Sequence, residues 1–209
     1  DVLGSRGLGD VYKRQALAGG TTETVIPFLG SVDLGFFYYI LAAVFIVGMV
    51  NAVNFTDGID GLNTSVTLVV ALVFSVIAML LNRVGLSLYA AAIVGAMIGF
   101  LFWNANPAKV FMGDTGSLFL GGAVCALAFG VDMPILLILI GIIYIVEILS
   151  VVLQVTYFKI SHGKRIFKMA PIHHHFEMCG WNENKICFVF SGVTLFAGII
   201  GVLLAVFGC

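Results

Sequence analysis

The sequence predicts an all-α, polytopic integral membrane protein built as a bundle of six transmembrane helices. Two observations carry this. Of 209 residues, 61% are hydrophobic and only 10% charged, with a mean hydropathy of +1.12, whereas soluble domains are roughly 45–50% apolar. Apolar runs close to the roughly 17–25 residues that cross a hydrocarbon core then recur at 34–52, 65–82, 86–103, 116–131, 134–158 and 186–207.

Residues 1–20, which open DVLGSRGLGDVYKRQ, are polar and glycine-rich and share no character with the rest. We read them as a non-native leader and residues 21–209 as a single transmembrane domain. The GLGD at 7–10 resembles the GxGD of intramembrane aspartyl proteases, but it falls in this leader and is set aside.

The first run ends in NAVNFTDGIDGLN (51–63), with three Asn and two Asp against the membrane boundary. An ionised carboxylate there must stay hydrated, pair with a base or hold a cation. Asp57 and Asp60 are three apart, so a helical turn would set them on one face, with Gly58 and Gly61 permitting tight backbone turns. Capping of the next run is the plainer explanation, but five Asx residues in thirteen exceed what a cap needs.

The third run carries Gly95 and Gly99 in a GxxxG pattern, and the fourth carries Gly121 and Gly122; such small residues let membrane helices approach closely. Between these runs, WNANPAKVFMGDTGS (103–117) sets Asp114 between Gly113 and Thr115 just before a span, where helix N-terminal N–H groups attract phosphate or a metal–phosphate complex. Lys109 adds charge, and Phe111 offers a ring for a base to stack on. No GK[ST] follows, so a P-loop is excluded.

Within the fifth run Glu147 is the one carboxylate deep in apolar sequence, and it serves either helix pairing or function. The loop after it, 159–185, is longer than ordinary connections and holds His173, His174 and His175 in succession. Adjacent side chains diverge, so the three cannot chelate one ion together; hydrogen bonding to an anionic substrate is the expectation.

Six spans place loops 53–64, 104–115 and 159–185 on one face. That face carries Lys109, Lys159, Lys164, Arg165, Lys168 and Lys185, against Arg83 on the other. The positive-inside bias assigns it to the cytoplasm. A net charge of −1 argues against a nucleic-acid partner, and cysteines 125, 179, 187 and 209 form no CxxC pair, so neither a disulfide frame nor a zinc site is expected. A transporter would line the midplane with polar groups and often repeat internally; here they gather at one end.

Taken together, NAVNFTDGIDGLN, FMGDTGSLFLGG and APIHHHFEMCGW resemble the phospho-N-acetylmuramoyl-pentapeptide transferase family, one branch of the polyprenyl-phosphate N-acetylhexosamine-1-phosphate transferases. The resemblance runs from about Thr21 to the C-terminus. It implies a fold of ten spans, of which these are the last six. It also implies a magnesium-dependent enzyme of the bacterial plasma membrane, multi-pass, with its active site toward the cytoplasm. Such an enzyme transfers phospho-N-acetylmuramoyl-pentapeptide from its UDP carrier to undecaprenyl phosphate, giving lipid I and UMP for peptidoglycan and cell-wall synthesis. The His triplet followed by Phe176 and Glu177 favours this branch over relatives that transfer N-acetylglucosamine phosphate.

By motif position, the resemblance makes Asn54 and Asp114 the magnesium ligands, and Asp114, Asp57, His173 and His174 the catalytic candidates. Phe111 would stack on uracil and Asp60 contact its edge. Asp57, Gly58, Ile59, Asn104 and Gln154 would surround the nucleoside, with Lys109 and His173, His174 and His175 on phosphate or sugar. The family's N-terminal half carries an adjacent Asp pair that this chain lacks, so these six spans alone are expected to be inactive; a homodimer is compatible with the resemblance.

Overall fold

A computed structural model describes residues 22–208; the leader and its GLGD lie outside the described residues. The chain opens with an antiparallel hairpin, β1 (Glu23–Ile26) and β2 (Gly30–Asp33), with Glu23 opposite Asp33. Six helices long and apolar enough to cross a membrane follow. They are α1 (Phe36–Thr56), α2 (Leu62–Leu80), α3 (Val84–Asn104), α4 (Gly113–Gly130), α6 (Ile142–Ile160) and α8 (Glu183–Phe207), joined by short helices α5 (Leu136–Ile140) and α7 (Ile172–Glu177). The chain is a multi-pass helical membrane protein.

Helix α2 is the axis. Val66, Val70, Phe74 and Ile77 along it are fully buried, because α3, α8 and α4 pack around it. Helix α1 lies against α4 and α6. Outward rows such as Val44, Val47, Leu88 and Phe196 stay exposed, as expected of surface that meets lipid rather than water.

The two ends of the bundle differ in chemistry. At one end Arg83 and Asp132 pair at 2.7 Å, and the hairpin joins them: Val25 N–H donates to the Asp132 carbonyl and Phe28 N–H to that of Gly208. The polar motifs lie at the other end.

Three expectations need correction. The run 134–158 is not one span. It is interrupted at Gly141: α5 ends at Ile140 and the span starts again at Ile142, and a Cβ at 141 would sit 2.7 Å from the Leu137 carbonyl oxygen. Gly95 and Gly99 have nothing within 4 Å of an added Cβ, and neither does Gly122; of these four glycines only Gly121 mediates a close approach, its Cβ position lying 2.6 Å from the Val50 Cα of α1. The hairpin itself was not expected, being too short and too weakly alternating (ETVI, GSVD) to read as strands. Among the described residues Cys125, Cys179 and Cys187 are free thiols.

Candidate active site

The site is assembled from the ends of three elements. Asn54 occupies the last turn of α1, whose C-terminus is closed by the Asp57 N–H donating to the Asn54 carbonyl at 3.1 Å. Asp114 sits in the first turn of α4, where a carboxylate is favoured by the helix dipole. The Gly121–Val50 contact brings these helices together. Asn54 Nδ2 donates to Asp114 Oδ1 at 3.0 Å and to Ser117 Oγ at 2.8 Å. Ser117, one turn beyond Asp114 and buried, was missed; its i+3 spacing from Asp114 is the signal that could have found it.

Asp57 follows directly. Its carboxyl titrates above the usual carboxylate range, first because it is partly desolvated and second because it faces the Asp114 charge. Two carboxylates and an amide therefore converge at one end of the bundle. These are hard oxygen donors, the kind magnesium selects. Among the described residues no three His, Cys, Asp or Glu side chains gather as a cage, so a magnesium ion here would draw the rest of its shell from water and phosphate oxygens.

Residues 57–61 form a turn rather than a helix, so Asp57 and Asp60 do not share a face. Asp60 points the other way. Its Oδ2 accepts from Ala108 N–H at 2.8 Å and from Asn106 Nδ2 at 3.3 Å, while its own N–H donates to Glu183 Oε2 at 2.9 Å. Asp60 thus ties the turn to the 105–108 loop and to the start of α8, which Asn182 caps by accepting from Lys185 N–H at 2.8 Å. Ile59 packs on the core. Gly61 has φ +75°, a conformation favouring glycine.

Asn104 is buried, with Oδ1 accepting from Thr64 and Nδ2 donating to the Val110 carbonyl at 3.0 Å. Its polar atoms hold the loop that carries Lys109 and Phe111. Gln154 acts similarly: its Oε1 accepts from the N–H groups of Ile166 and Phe167 at 3.2 and 2.8 Å. Lys109 Nζ lies 5.6 Å from the Trp103 ring centre. Phe111 is 74% exposed, an open ring three residues before Asp114 in the chain. It borders an apolar cavity of about 390 Å³ formed with Ile93, Met97, Phe100 and Phe119.

The three histidines have different partners, although the His173 and His174 rings lie 4.2 Å apart. His173 is fully buried, its Nδ1 2.9 Å from Glu147 Oε2 of α6. His174 is part-exposed, its Nδ1 bonded to Glu177. His175 accepts from the Lys168 N–H through Nδ1 at 3.1 Å and packs edge-on to Phe167 and Phe176. Both His174 and His175 are part-exposed; His175 is held by its partners on the 165–168 loop and by the flanking Phe rings, and His174 by Glu177.

Comparison with known proteins shows what the chain is similar to. The chain is 52% identical over 181 residues to a phospho-N-acetylmuramoyl-pentapeptide-transferase of Clostridium botulinum (strain Eklund 17B / Type B), covering 86% of this chain and 56% of that protein. It is 55% identical over 175 residues to the transferase of the same name from Clostridium perfringens (strain SM101 / Type A), covering 83% and 54%. Against that from Listeria monocytogenes serotype 4b (strain CLIP80459) it is 49% identical over 190 residues, covering 90% and 59%. The chain thus spans a little over half the length of the curated relatives it matches. Residues 14–132, which carry Asn54, Asp57 and Asp114, match the family described as glycosyl transferase family 4, and the chain belongs to that family.

Proposed function

We propose that this chain supplies the nucleotide- and metal-binding face of a membrane phosphosugar transferase. In this reading the enzyme moves phospho-N-acetylmuramoyl-pentapeptide from its UDP carrier to undecaprenyl phosphate. One phosphoanhydride bond, to UMP, breaks and one, to the lipid phosphate, forms; the products are lipid I and UMP. The observation that carries the reading is the convergence of Asp57, Asp114 and Asn54 at the cationic end of the bundle. A polar, phosphate-competent site at a membrane boundary suits a reaction between a water-borne donor and a lipid-borne acceptor.

Magnesium, when bound, neutralises charge on the pyrophosphate and on the departing UMP. Asp114 would hold it through a carboxylate oxygen. Asn54 would do so through its amide oxygen, with its Nδ2 still directed at Ser117. Asp57 stands ready beside them to orient the donor or take up a proton. Phe111 stacks the uracil, Asp60 keeps its Oδ1 for the nucleoside edge, and His174 and Lys109 meet phosphate. The location that goes with this chemistry is the bacterial plasma membrane, with the site toward the cytoplasm.

The test is magnesium-dependent UMP release by the full-length protein in membranes, offered the muramoyl-pentapeptide or the N-acetylglucosamine donor. We expect release with the former. Asp114→Asn should lower kcat at least about a hundredfold while expression persists, since a ligand charge is lost with the shape nearly kept. No release with either donor, or full activity in Asp114→Asn, overturns the proposal.

A further inference from the structure

Glu147 and His173 take no part in the chemistry proposed above, although the resemblance counts His173 among the catalytic candidates, and they are among the costliest groups in the molecule. Both are fully buried, and Glu147 Oε2 lies 2.9 Å from His173 Nδ1. A carboxylate set into a membrane helix is expensive and persists where it has a partner and a task. Their far atoms, Glu147 Oε1 and His173 Nε2, have no hydrogen-bond partner among the described residues. Full burial also keeps His173 from touching a substrate directly.

What His173 touches instead is the turn that carries Asp57. A Cβ built on Gly58 would lie 2.2 Å from His173 Nε2 and 2.6 Å from Cε1, closer than any real contact. The ring therefore occupies the space that a side chain at 58 would need. The exposed Gly58 covers it from above, and Glu147 holds it from below. The His173 ring also lies 4.2 Å from that of His174, so its orientation bears on the part-exposed histidine as well.

We propose that Glu147 and His173 form a buried positioning pair that supports the Asp57–Gly58 turn from beneath and so sets the placement of Asp57 relative to Asp114. The chain of contacts is Glu147, His173, Gly58, Asp57. Glu147 touches neither substrate nor metal; it acts by fixing the ring on which the turn rests. Gly58 is required because any larger residue would push the turn off that ring, not because of its backbone angles. The pair's role in catalysis rests on the transferase reading, but its effect on the carboxylates does not.

The experiment uses the full-length protein in detergent and reads three quantities: Mn2+ affinity by electron paramagnetic resonance, kcat for UMP release, and the thermal midpoint. In Gly58→Ala, whose change is on an exposed turn, and in Glu147→Leu, Mn2+ binding should weaken about tenfold. The kcat should fall about ten- to hundredfold, the scale on which misplaced groups act. Glu147→Gln, which keeps an acceptor for His173, should restore most of both. Because both changes act through one ring, the double variant Gly58→Ala/Glu147→Leu should be little worse than the poorer single one. A lowered thermal midpoint with unchanged Mn2+ affinity would leave the pair a purely structural role and overturn the proposal. Fully multiplying losses, or a wild type that binds no Mn2+, would overturn it too. If Glu147→Leu does not fold, Gly58→Ala decides. A wild type that releases no UMP while its Mn2+ affinity still responds to these variants removes the transferase reading alone.

Discussion

At the scale of single residues the site is a problem in like charge. Asp57 is partly desolvated and faces Asp114, and both effects raise its pKa. A carboxyl whose pKa is higher folded than unfolded binds more protons in the native state across the interval between the two values. Its contribution to stability is therefore present below the unfolded value, about 3.9, and is lost as pH rises through the folded one. In chelator-containing buffer, Asp57→Asn should thus have a higher thermal midpoint than the wild type near neutral pH. The gain should shrink as pH falls toward the ordinary carboxylate range. Added magnesium should narrow the same gap by supplying the missing positive charge. A variant no more stable than the wild type at neutral pH would show that the two carboxylates do not interact.

At the scale of elements, the site depends on how closely α1 and α4 approach. Asn54 reaches Asp114 because Gly121 lets the α4 backbone meet Val50 of α1, where an added Cβ would lie 2.6 Å from Val50 Cα. Backbone cannot yield as a flexible side chain can, so Gly121→Val should destabilise the bundle by about 1–3 kcal/mol, the usual range for overpacking. Gly122→Val on the same helix, with nothing within 4 Å, should be close to neutral. Thermal unfolding of the two variants side by side in detergent measures the difference; equal midpoints would remove the contact from its role. The pair also marks a limit of pattern reading. Adjacent glycines and a GxxxG announce helices able to pack closely, but which face receives a neighbour depends on helix rotation, and sequence spacing does not encode that.

For the molecule as a whole, the loops divide into a polar, cationic end and a short-turned end closed by the hairpin and the Arg83–Asp132 pair. Cys179 is exposed just after α7 at the polar end, whereas Cys125 is buried. In a Cys209→Ser background, a membrane-impermeant maleimide should label Cys179 in inside-out vesicles and leave it unlabelled in right-side-out ones. The reverse pattern would invert the assigned orientation.

Composition and apolar run length alone were enough for the fold class and the six spans. Both are summed over many residues and survive errors in any one position. The sequence also marked Asn54, Asp57 and Asp114, because polar residues at a membrane boundary stand out against apolar runs. Which partners those residues meet could be read only from the folded chain. Asp57 lies near Asp114 and Asp60 bonds to the 105–108 loop instead, Asn104 and Gln154 are taken up in holding loops, and the His triplet separates into one buried ring and two part-exposed ones. The physical reason is that these assignments depend on which partner lies across a helix interface. Glu147 and His173 are 26 residues apart in the chain, and no local periodicity records that one will hold the other beneath Gly58.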